Sequence, residues 1–467
     1  MGLFHCVTCT RGMGILPCVH ANPQHLSSVV PSRFQFSTNS HNAPIEYHWI
    51  DGAERLHLYE PGGYHPVMVN DLLHNRYRIV DKLGFGGYAT IWLAQDERTK
   101  RYVALKMGIS GPSAPRRETG ILKALHGSSS VSQTGFGVDA RDALPKVHDA
   151  FEIRGPNGTH ACYTMTPAQG NLREASFSRL FPVRVARALA AKLVLAVAFI
   201  HSRGYVHGDL HLRNVLVKLP STFEEMSITQ FQDKFGEPET VPITRVDGKP
   251  HTTHVPTEAT LPLYLGKKAQ DFTLADAHGL MLSDFGEAFS AATEQRFGTD
   301  CKIPLAKRAP EALFEPDELM SYPSDIWSLG TAVWEILGMK FIFSESETRD
   351  EIVAQLIDVL GGAQNFPQNW RKLWERSYED SIDAADTIPR KPTEEREEWP
   401  SLECAFEEFV QKYRRKLEVT GIFGEEETWA ILELIRGMLK FRPEERMTIE
   451  EVLRSKWMVD WALPELE

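Results

Sequence analysis

The feature that most constrains the fold is a run of glycines between two strand-like segments. In "YRIVDKLGFGGYATIWLAQD" (77–96), apolar and β-branched residues flank Gly84, Gly86 and Gly87 on both sides. This pattern predicts strand, glycine turn and strand. It differs from the strand-to-helix setting of a dinucleotide-binding fold or a P-loop. Gly84 and Gly86 would let backbone N–H groups approach phosphate oxygens, although an ordinary glycine turn would look the same.

The segments that follow extend a small sheet. "YVALKM" (102–107) reads as a third strand, and "HDAFEI" and "ACYTMT" alternate as a strand pair around the turn "GPNG" (155–158). Between them, "RRETGILKALHG" (116–127) has apolar residues at helical spacing and a glycine positioned to end the helix. The first part of the chain is therefore predicted to be antiparallel sheet with one helix.

Beyond Pro167 the periodicity becomes helical. Residues 183–201 predict a long buried helix, and 324–337 predict a core helix that is apolar nearly all round. Residues 219–280 are rich in Pro and polar groups without a long period, and we interpret them as an insertion on the surface of the second lobe. The combination predicts an α+β protein with two lobes.

Charge and composition narrow the range of partners. The net charge of −12 disfavours direct nucleic-acid binding and favours a basic partner. No apolar run reaches the length of a membrane span, so we expect no membrane contact. Six cysteines in 467 residues are typical of reduced thiols.

The first 45 residues differ from the rest. Their only fixed charges are Arg11 and Arg33, and the first acidic residue is Glu46. Such a segment is either a disordered tail or a weak mitochondrial transit peptide.

Polar residues with a specific chemistry follow in a fixed order. Lys106 in "VALK" can neutralise phosphates from the strand next to the glycines, and Glu118 on the next helix can hold its ammonium. In "HGDLHLRN", Asp209 can accept a hydroxyl proton and Asn214 can bind magnesium. "LSDFGEA" adds Asp284 for the same metal. Each residue alone also fits a solvent-facing or turn position, but the order of all five favours a phosphoryl-transfer site.

With these motifs the chain resembles the eukaryotic protein kinases across residues 77 to about 457. Within them it is most similar to the SR-protein kinases, especially their fungal branch. The similarity is carried by "PGGYHPVMVNDLLHNRYRIVDKLGFGGYATIWLAQD", "FEIRGPNGTH", "LSDFGEAF", "IPLAKRAPEALF" and "SDIWSLG", and "GGYHPV" is the most specific part.

The resemblance implies a two-lobed kinase fold with ATP in the cleft and Mg²⁺ as the metal. The implied organisation is a tail or transit peptide (1–45), a lead-in segment (46–76), a kinase domain (77–457) and a C-terminal tail (458–467). The first lobe is expected to span 77–166, and the second 167–457 with the insertion. A monomer is expected.

The resemblance also implies roles for individual residues. Asp209, His211 and Lys106 would be catalytic, Asn214 and Asp284 would bind metal, and Glu311, Asp325 and Arg446 would be structural, with Glu311 and Arg446 as a buried ion pair. Met165 would be the gatekeeper before the hinge and Leu216 the floor under adenine. The ATP-binding residues would be Leu83, Gly84, Phe85, Gly86, Gly87, Tyr88, Ala89, Thr90, Ile91, Ala104, Lys106, Glu118, Met165 and Leu216.

The chain departs from the kinase pattern at four points, two of which carry predictions. Ala89 replaces the third loop glycine. His211 stands where most protein kinases carry lysine, and is expected to contact the transferring phosphoryl group. The short spacer between Lys106 and Glu118 leaves their pairing open. Gly208 replaces the arginine that grips a phosphorylated loop in many kinases, so activation is predicted not to need loop phosphorylation.

The predicted activity is phosphorylation of Ser in Arg/Ser-rich proteins, in the cytoplasm and nucleus, with a role in mRNA splicing regulation implied by the resemblance. Segment 344–358 predicts a helix with one buried face and an acidic face that attracts basic peptides, or else an ordinary solvated face. Its acids are Glu345, Glu347, Asp350, Glu351 and Asp358.

Two rival functions stay open at the level of sequence. A small-molecule kinase of the aminoglycoside or choline type shares the "HGDLHxxN" form, although "RAPEAL" and "RPEERMT" favour a protein kinase. A pseudokinase scaffold is the other rival, and the short spacer before Glu118 is the argument for it.

Overall fold

A computed structural model describes residues 45–111, 114–127, 140–178, 180–338, 340–376, 388–392, 396–417 and 421–467. The first 44 residues, and with them the tail or transit-peptide prediction, lie outside this part. The first lobe holds a six-stranded antiparallel sheet in the order β1–β2–β3–β4–β6–β5. Its strands are β1 Leu72–Leu73, β2 Tyr77–Gly86, β3 Ala89–Asp96, β4 Tyr102–Gly108, β5 Asp149–Gly155 and β6 Gly158–Met165.

The glycine segment forms the predicted hairpin. Gly86 pairs with Ala89 across the turn between β2 and β3. Helix α1, Ala114–His126, follows β4 and buries Ile121, Leu122 and Leu125. This apolar stripe holds the helix against the sheet, so that Glu118 projects toward the strand that carries Lys106.

The second lobe is mainly helical. Its small strands are β7 Ala168–Asn171, β8 Tyr205–Val206, β9 Val215–Lys218, β10 Thr240–Pro242, β11 Glu258–Thr260, β12 Leu280–Leu282 and β13 Phe289–Ser290. Its helices are α2 Leu172–Ser178, α3 Val183–Ser202, α4 Ile228–Phe235, α5 Leu274–His278, α6 Glu311–Phe314, α7 Tyr322–Leu337, α8 Arg349–Val359, α9 Gln368–Trp374, α10 Leu402–Phe406, α11 Lys412–Lys416, α12 Glu425–Met438 and α13 Ile449–Leu453. Helices α3 and α7 are buried on nearly every side, as their continuous apolar patterns predict.

Segment 219–280 does not rest on the second lobe alone, contrary to our expectation. Phe223, Phe231 and Leu265 form one apolar cluster with residues of β2, β3 and β4. The Leu263 N–H also donates to the Lys82 carbonyl oxygen at 2.8 Å. Phe272 of the same segment is buried in the main core instead, so the insertion packs on both lobes.

The predicted bounds of the kinase domain, 77–457, also need correction, because the segments before and after it pack into the fold. The lead-in residues Ala53, Leu56, Tyr59 and Tyr64 pack with Ile243, Val255 and Ala259 of the insertion. The segment 458–467 is not a separate tail, because Leu463 and Leu466 are buried in the main core. Its Glu465 accepts hydrogen bonds from Arg184 and Arg187 of α3.

Within the described ranges, no helix has both the length and the apolar character that a bilayer crossing requires.

Candidate functional site

Lys106, Glu118 and Asp284 meet in the cleft between the lobes. The Lys106 Nζ lies 2.8 Å from Glu118 Oε2 and 3.0 Å from Asp284 Oδ1. Burial acts to lower the pKa of Lys106, but the nearby carboxylates outweigh it and raise the pKa well above its usual value. The same ammonium holds the pKa of Asp284 below its usual value in spite of burial. The short spacer before Glu118 therefore does not prevent the Lys–Glu contact.

Glu118 also ties α1 to the segment that carries Asp284. Its Oε1 accepts the Phe285 N–H at 3.1 Å. Tyr163, which pairs with Lys106 across β4 and β6, interacts with the same carboxylate. The sequence reading missed Tyr163, and its position opposite Lys106 in the predicted strand pairing was the available signal.

Asp325 of α7 fixes the loop that carries Asp209. Its carboxylate is fully buried and accepts the N–H groups of His207 at 2.7 Å and Gly208 at 3.0 Å. Its Oδ2 also lies 3.0 Å from His201 Nε2. Gly208 has φ +75°, and a Cβ there would approach the Glu287 carbonyl oxygen at 2.8 Å. Glycine before Asp209 is thus required by both conformation and space.

Asn214 and Asp284 lie at neighbouring ends of two paired strands. Asn214 precedes β9, Asp284 follows β12, and Val215 pairs with Leu282. The Asn214 amide N–H₂ donates to the Asp209 carbonyl oxygen at 2.8 Å, which leaves its oxygen for a cation. Asp284 has φ +61°, which is uncommon for a residue other than glycine. Such backbone conformations are concentrated at functional sites.

This donor set fits a magnesium ion shared with phosphates. Magnesium prefers oxygen ligands and is commonly held by one or two protein side chains plus substrate phosphates. Asn214 and Asp284 supply such oxygens, and Asp209 Oδ1 is buried without a hydrogen-bond partner in the described part of the chain. No group of three or more His, Cys, Asp or Glu in that part is arranged to hold a metal by itself.

His211 lies beside the Asp209 carboxylate. Its Nε2 is 3.4 Å from Asp209 Oδ1 and 3.4 Å from Asn214 Nδ2. The ring thus lies beside both of the other polar groups of this loop.

The apolar residues assigned to adenine come from strands of both lobes. Ala104 pairs with Met165 across β4 and β6, and both are buried in the main core with Leu83 and Ile91 against it. Leu216 lies on β9, opposite Asn171 and Met281.

The glycine-rich turn is open, but one assigned side chain does not face the cleft. A Cβ on Gly84, Gly86 or Gly87 would meet no atom within 4 Å, and Phe85 and Tyr88 are exposed. Thr90 is buried and accepts the Trp92 indole N–H at 3.0 Å, on the opposite face from Lys106. The side-chain assignment of Thr90 is therefore corrected, because successive strand residues alternate between faces.

Glu311 and Arg446 form a buried ion pair. Arg446 Nη1 and Nη2 lie 2.8 and 2.5 Å from the two Glu311 carboxylate oxygens. Arg446 also donates to the carbonyl oxygens of Pro323, Lys440 and Phe441. The pair joins α6 to the segment before α13.

Arg117 connects α1 to the segment after Asp284. It donates to the Ala288 carbonyl oxygen at 2.6 Å and pairs with Glu294 at 2.6 Å. The sequence reading missed this residue, since only the fold brings Arg117 and Glu294 together. The Glu294 carboxylate thus pairs with Arg117 of α1 in the absence of a phosphate group.

The acids of segment 344–358 are largely occupied. The helix there is α8, which begins at Arg349 and buries the expected apolar face. Glu345 pairs with Arg173 and Lys307, and Asp358 pairs with Arg396. Asp350 accepts the Arg390 N–H, and Glu351 caps the helix through Thr348. Two of the five acids are therefore neutralised by cations within the chain, and two more accept hydrogen bonds from neutral groups.

Comparisons with known proteins agree with this geometry. Residues 268–458 match the family model described as "Protein kinase domain". A serine/threonine protein kinase of Aspergillus fumigatus is 27% identical over 427 residues, which cover 87% of this chain and 90% of the relative. The serine/threonine-protein kinase SRPK of Physarum polycephalum is 24% identical over 419 residues, or 86% of this chain and 90% of the relative.

A shorter sequence match and a structural match give the same result. SRSF protein kinase 3 of Homo sapiens is 29% identical over 163 residues, which cover 34% of this chain and 28% of the relative. A crystal structure described as a kinase domain covers 85% of this chain and 98% of its own, with a TM-score of 0.53 and 17% identity. This last similarity supports the two-lobed fold.

Proposed function

The chain is a protein serine/threonine kinase, and from this premise we propose that it transfers the γ-phosphoryl group of magnesium-bound ATP to serine in Arg/Ser-rich proteins. The observation that carries the proposal is the contact of Lys106 with both Glu118 and Asp284, beside the loop of Asp209 and Asn214. Kinase catalysis depends on such positioning and charge stabilisation.

The roles of the residues follow from their chemistry. Asp209 orients the serine hydroxyl and accepts its proton, while the new O–P bond forms and the bond from the γ-phosphorus to the bridging oxygen of ADP breaks. Lys106 binds phosphate oxygens, and His211 stabilises the transferring group from beside Asp209. Asn214 and Asp284 would hold Mg²⁺, which supplies charge neutralisation on the phosphates when bound.

The rival functions are less well supported. The contact between Lys106 and Glu118 removes the argument for a pseudokinase, which rested on the short spacer. The match to a protein kinase domain and the protein-kinase relatives disfavour a small-molecule substrate.

A basic substrate is supported by the Glu287 carboxylate, which lies near Asp209. Glu287 lies directly after the glycine that follows Asp284 and Phe285. Burial raises its pKa, Arg296 and Lys302 act to lower it, and Asp209 adds a like charge. An arginine next to the phosphorylated serine would relieve this crowding of carboxylates. The names of the SRPK and SRSF protein kinase relatives point in the same direction.

The test compares peptides and two matched variants. Purified protein should phosphorylate an Arg-Ser repeat peptide in preference to acidic or proline-directed peptides, and Asp209→Asn should abolish the reaction. Glu287→Gln should raise KM for the Arg-Ser peptide about ten-fold, as for loss of one charged hydrogen bond, and leave KM for ATP unchanged. Asp460→Asn, which removes an exposed ion pair with Lys456 in the C-terminal segment, is the control and should change neither. A preference for acidic peptides would reject the substrate class.

We further propose a cytoplasmic and nuclear location, with no direct nucleic-acid or membrane partner, and a monomer that acts on proteins of the splicing machinery. A fluorescent fusion of the full chain tests the location, and mitochondrial import would contradict it. Sedimentation of the purified chain tests the monomer.

A further inference from the structure

The hydroxyl of Tyr64 binds the glycine-rich turn directly. Tyr64 Oη donates to the Gly86 carbonyl oxygen at 2.7 Å, across 22 residues of sequence. Burial raises the pKa of Tyr64 to about 12, so the hydroxyl keeps its proton and remains a donor at neutral pH. Tyr64 belongs to the lead-in segment, outside the two strands that form the hairpin.

The turn that receives this bond has little other support from side chains. A Cβ on Gly84, Gly86 or Gly87 would meet nothing within 4 Å, and Phe85 and Tyr88 are exposed. Glycine loses more conformational freedom on ordering than any other residue. A hydrogen bond to the Gly86 carbonyl therefore limits the conformations open to the peptide units that would face phosphates.

Tyr64 is itself held rigidly by its own segment. Gly62 has φ +95°, and a Cβ on Gly63 would overlap the Leu58 carbonyl oxygen. The Tyr64 N–H donates to that same oxygen at 2.9 Å, and the ring packs edge-on against Tyr59 with centroids 5.4 Å apart. The two glycines of "GGYHPV" thus allow the tight turn that aims the tyrosine at Gly86.

The insertion also helps to hold Tyr64. Asn157 Nδ2 donates to the Tyr64 carbonyl oxygen at 2.6 Å and to the His254 carbonyl oxygen at 2.7 Å. The Tyr64 ring lies in the apolar cluster that includes Ile243 and Val255. The insertion, which lies between Asn214 and Asp284 in the sequence, thereby helps to hold Tyr64, the residue that contacts the glycine-rich turn.

We propose that Tyr64 is a positioning residue that sets the conformation of the glycine-rich turn for binding of nucleotide phosphates. The proposal rests on the proposed function, because it takes the turn to bind ATP. It has a specific consequence. Loss of the hydroxyl should weaken ligands that carry phosphates, and should spare a nucleoside that lacks them.

The experiment measures nucleotide binding to the full chain by calorimetry. Tyr64→Phe removes only the hydroxyl, and affinity for Mg·ADP should fall about three- to ten-fold, the range expected for one neutral hydrogen bond. Affinity for adenosine should stay within two-fold of wild type. In kinetics, KM for ATP should rise while KM for the peptide stays unchanged. Hydrogen exchange of the peptide amides in residues 84–88 should become faster without any nucleotide.

Two further variants separate positioning from stability. Tyr59→Phe removes a buried hydroxyl that binds Glu54 in the same cluster, and should lower the melting temperature without changing the ratio of ADP to adenosine affinity. Tyr64→Leu should reproduce the ADP-selective loss with a larger drop in melting temperature.

Equal losses for ADP and adenosine, or no loss for either, in Tyr64→Phe would overturn the proposal. If the wild-type chain itself bound ADP no more tightly than adenosine, the proposed function would fail instead.

Discussion

Replacement of Asp325 by asparagine tests how the core helix controls the catalytic loop. Asp325 Oδ2 accepts the His207 N–H and lies 3.0 Å from His201 Nε2, and Oδ1 accepts the Gly208 N–H. Both carboxylate oxygens therefore face donors. Asparagine has only one acceptor oxygen, so its N–H₂ group must point at a buried N–H in either orientation.

The expected cost follows from this count. One buried donor left unsatisfied costs about 1–3 kcal/mol, and a hydrogen bond to a charged group contributes about 1.5–3 kcal/mol. These two costs overlap, because both include the loss of the same hydrogen bond, and they are not simply added. We therefore expect the free energy of unfolding to fall by about 3 kcal/mol. The loop from His207 to Asp209 should also lose its fixed position, and kcat should fall at least about ten-fold.

Urea denaturation and steady-state kinetics on the same preparations measure both effects. Ser324→Ala is the matched control, because Ser324 is buried next to Asp325 but donates to the Ser321 carbonyl oxygen, away from the catalytic loop. It should lose about 1 kcal/mol of stability with kcat unchanged. The reasoning would be refuted by an Asp325→Asn protein with wild-type stability and kcat, or by a Ser324→Ala protein with the same kinetic defect.

The pH dependence of this contact has a definite sign. Burial acts to raise the pKa of Asp325, but hydrogen bonds and charge from His201 and His207 lower it below 3.8. An acid with a lowered folded-state pKa stabilises the fold above its unfolded pKa, and that contribution is lost as pH falls through the folded value. The stability difference between wild type and Asp325→Asn should therefore persist at pH 5 and shrink only in stronger acid.

Four further outcomes are expected. Asp284→Ala should abolish turnover, because Lys106 and the metal lose their shared carboxylate, and a kcat near wild type would contradict this. Phosphatase treatment should leave activity unchanged, because Arg117 already binds Glu294; a silenced enzyme would refute it. Burial lowers the pKa of His65 from 6.5 to about 4, so between these pH values only the unfolded chain binds the proton. The free energy of unfolding should therefore decrease as the pH is lowered from 6.5 to 4, and should decrease less in His65→Gln. His211→Ala should lower kcat and leave KM for ATP nearly unchanged, because His211 lies beside the Asp209 carboxylate; a kcat near wild type would count against a role for His211.

Much of the fold could be predicted because its signals are local. Alternation and turn residues predicted the strands from Tyr77 to Met165, and apolar periodicity predicted α3 and α7. The kinase fold and the serine/threonine kinase activity, which the resemblance carried by the motifs implied, are confirmed by the comparisons. The site residues could be named because their chemistry is written in short motifs with fixed spacing. Their individual roles in catalysis stay predictions.

Other features could not be predicted, because the partner of a residue lies far away in sequence. The acids of segment 344–358 gave a clear pattern, yet Glu345 and Asp358 pair with arginines at 173 and 396. The C-terminal residues have no long apolar run, yet Leu463 and Leu466 complete the core. In both cases the sequence contained the side chains but no information about which surface they would meet.

The local elements, the order of the chemical groups and the type of reaction could all be inferred without coordinates. These depend on backbone periodicity, turn conformation and spacing within a few residues of each other. Three contacts became visible only in the folded chain: the insertion packs on the first lobe's sheet, Arg117 binds Glu294, and Tyr64 binds Gly86. The physical reason is that an apolar or polar side chain reveals its need for a partner, whereas the choice of partner depends on how distant segments pack together.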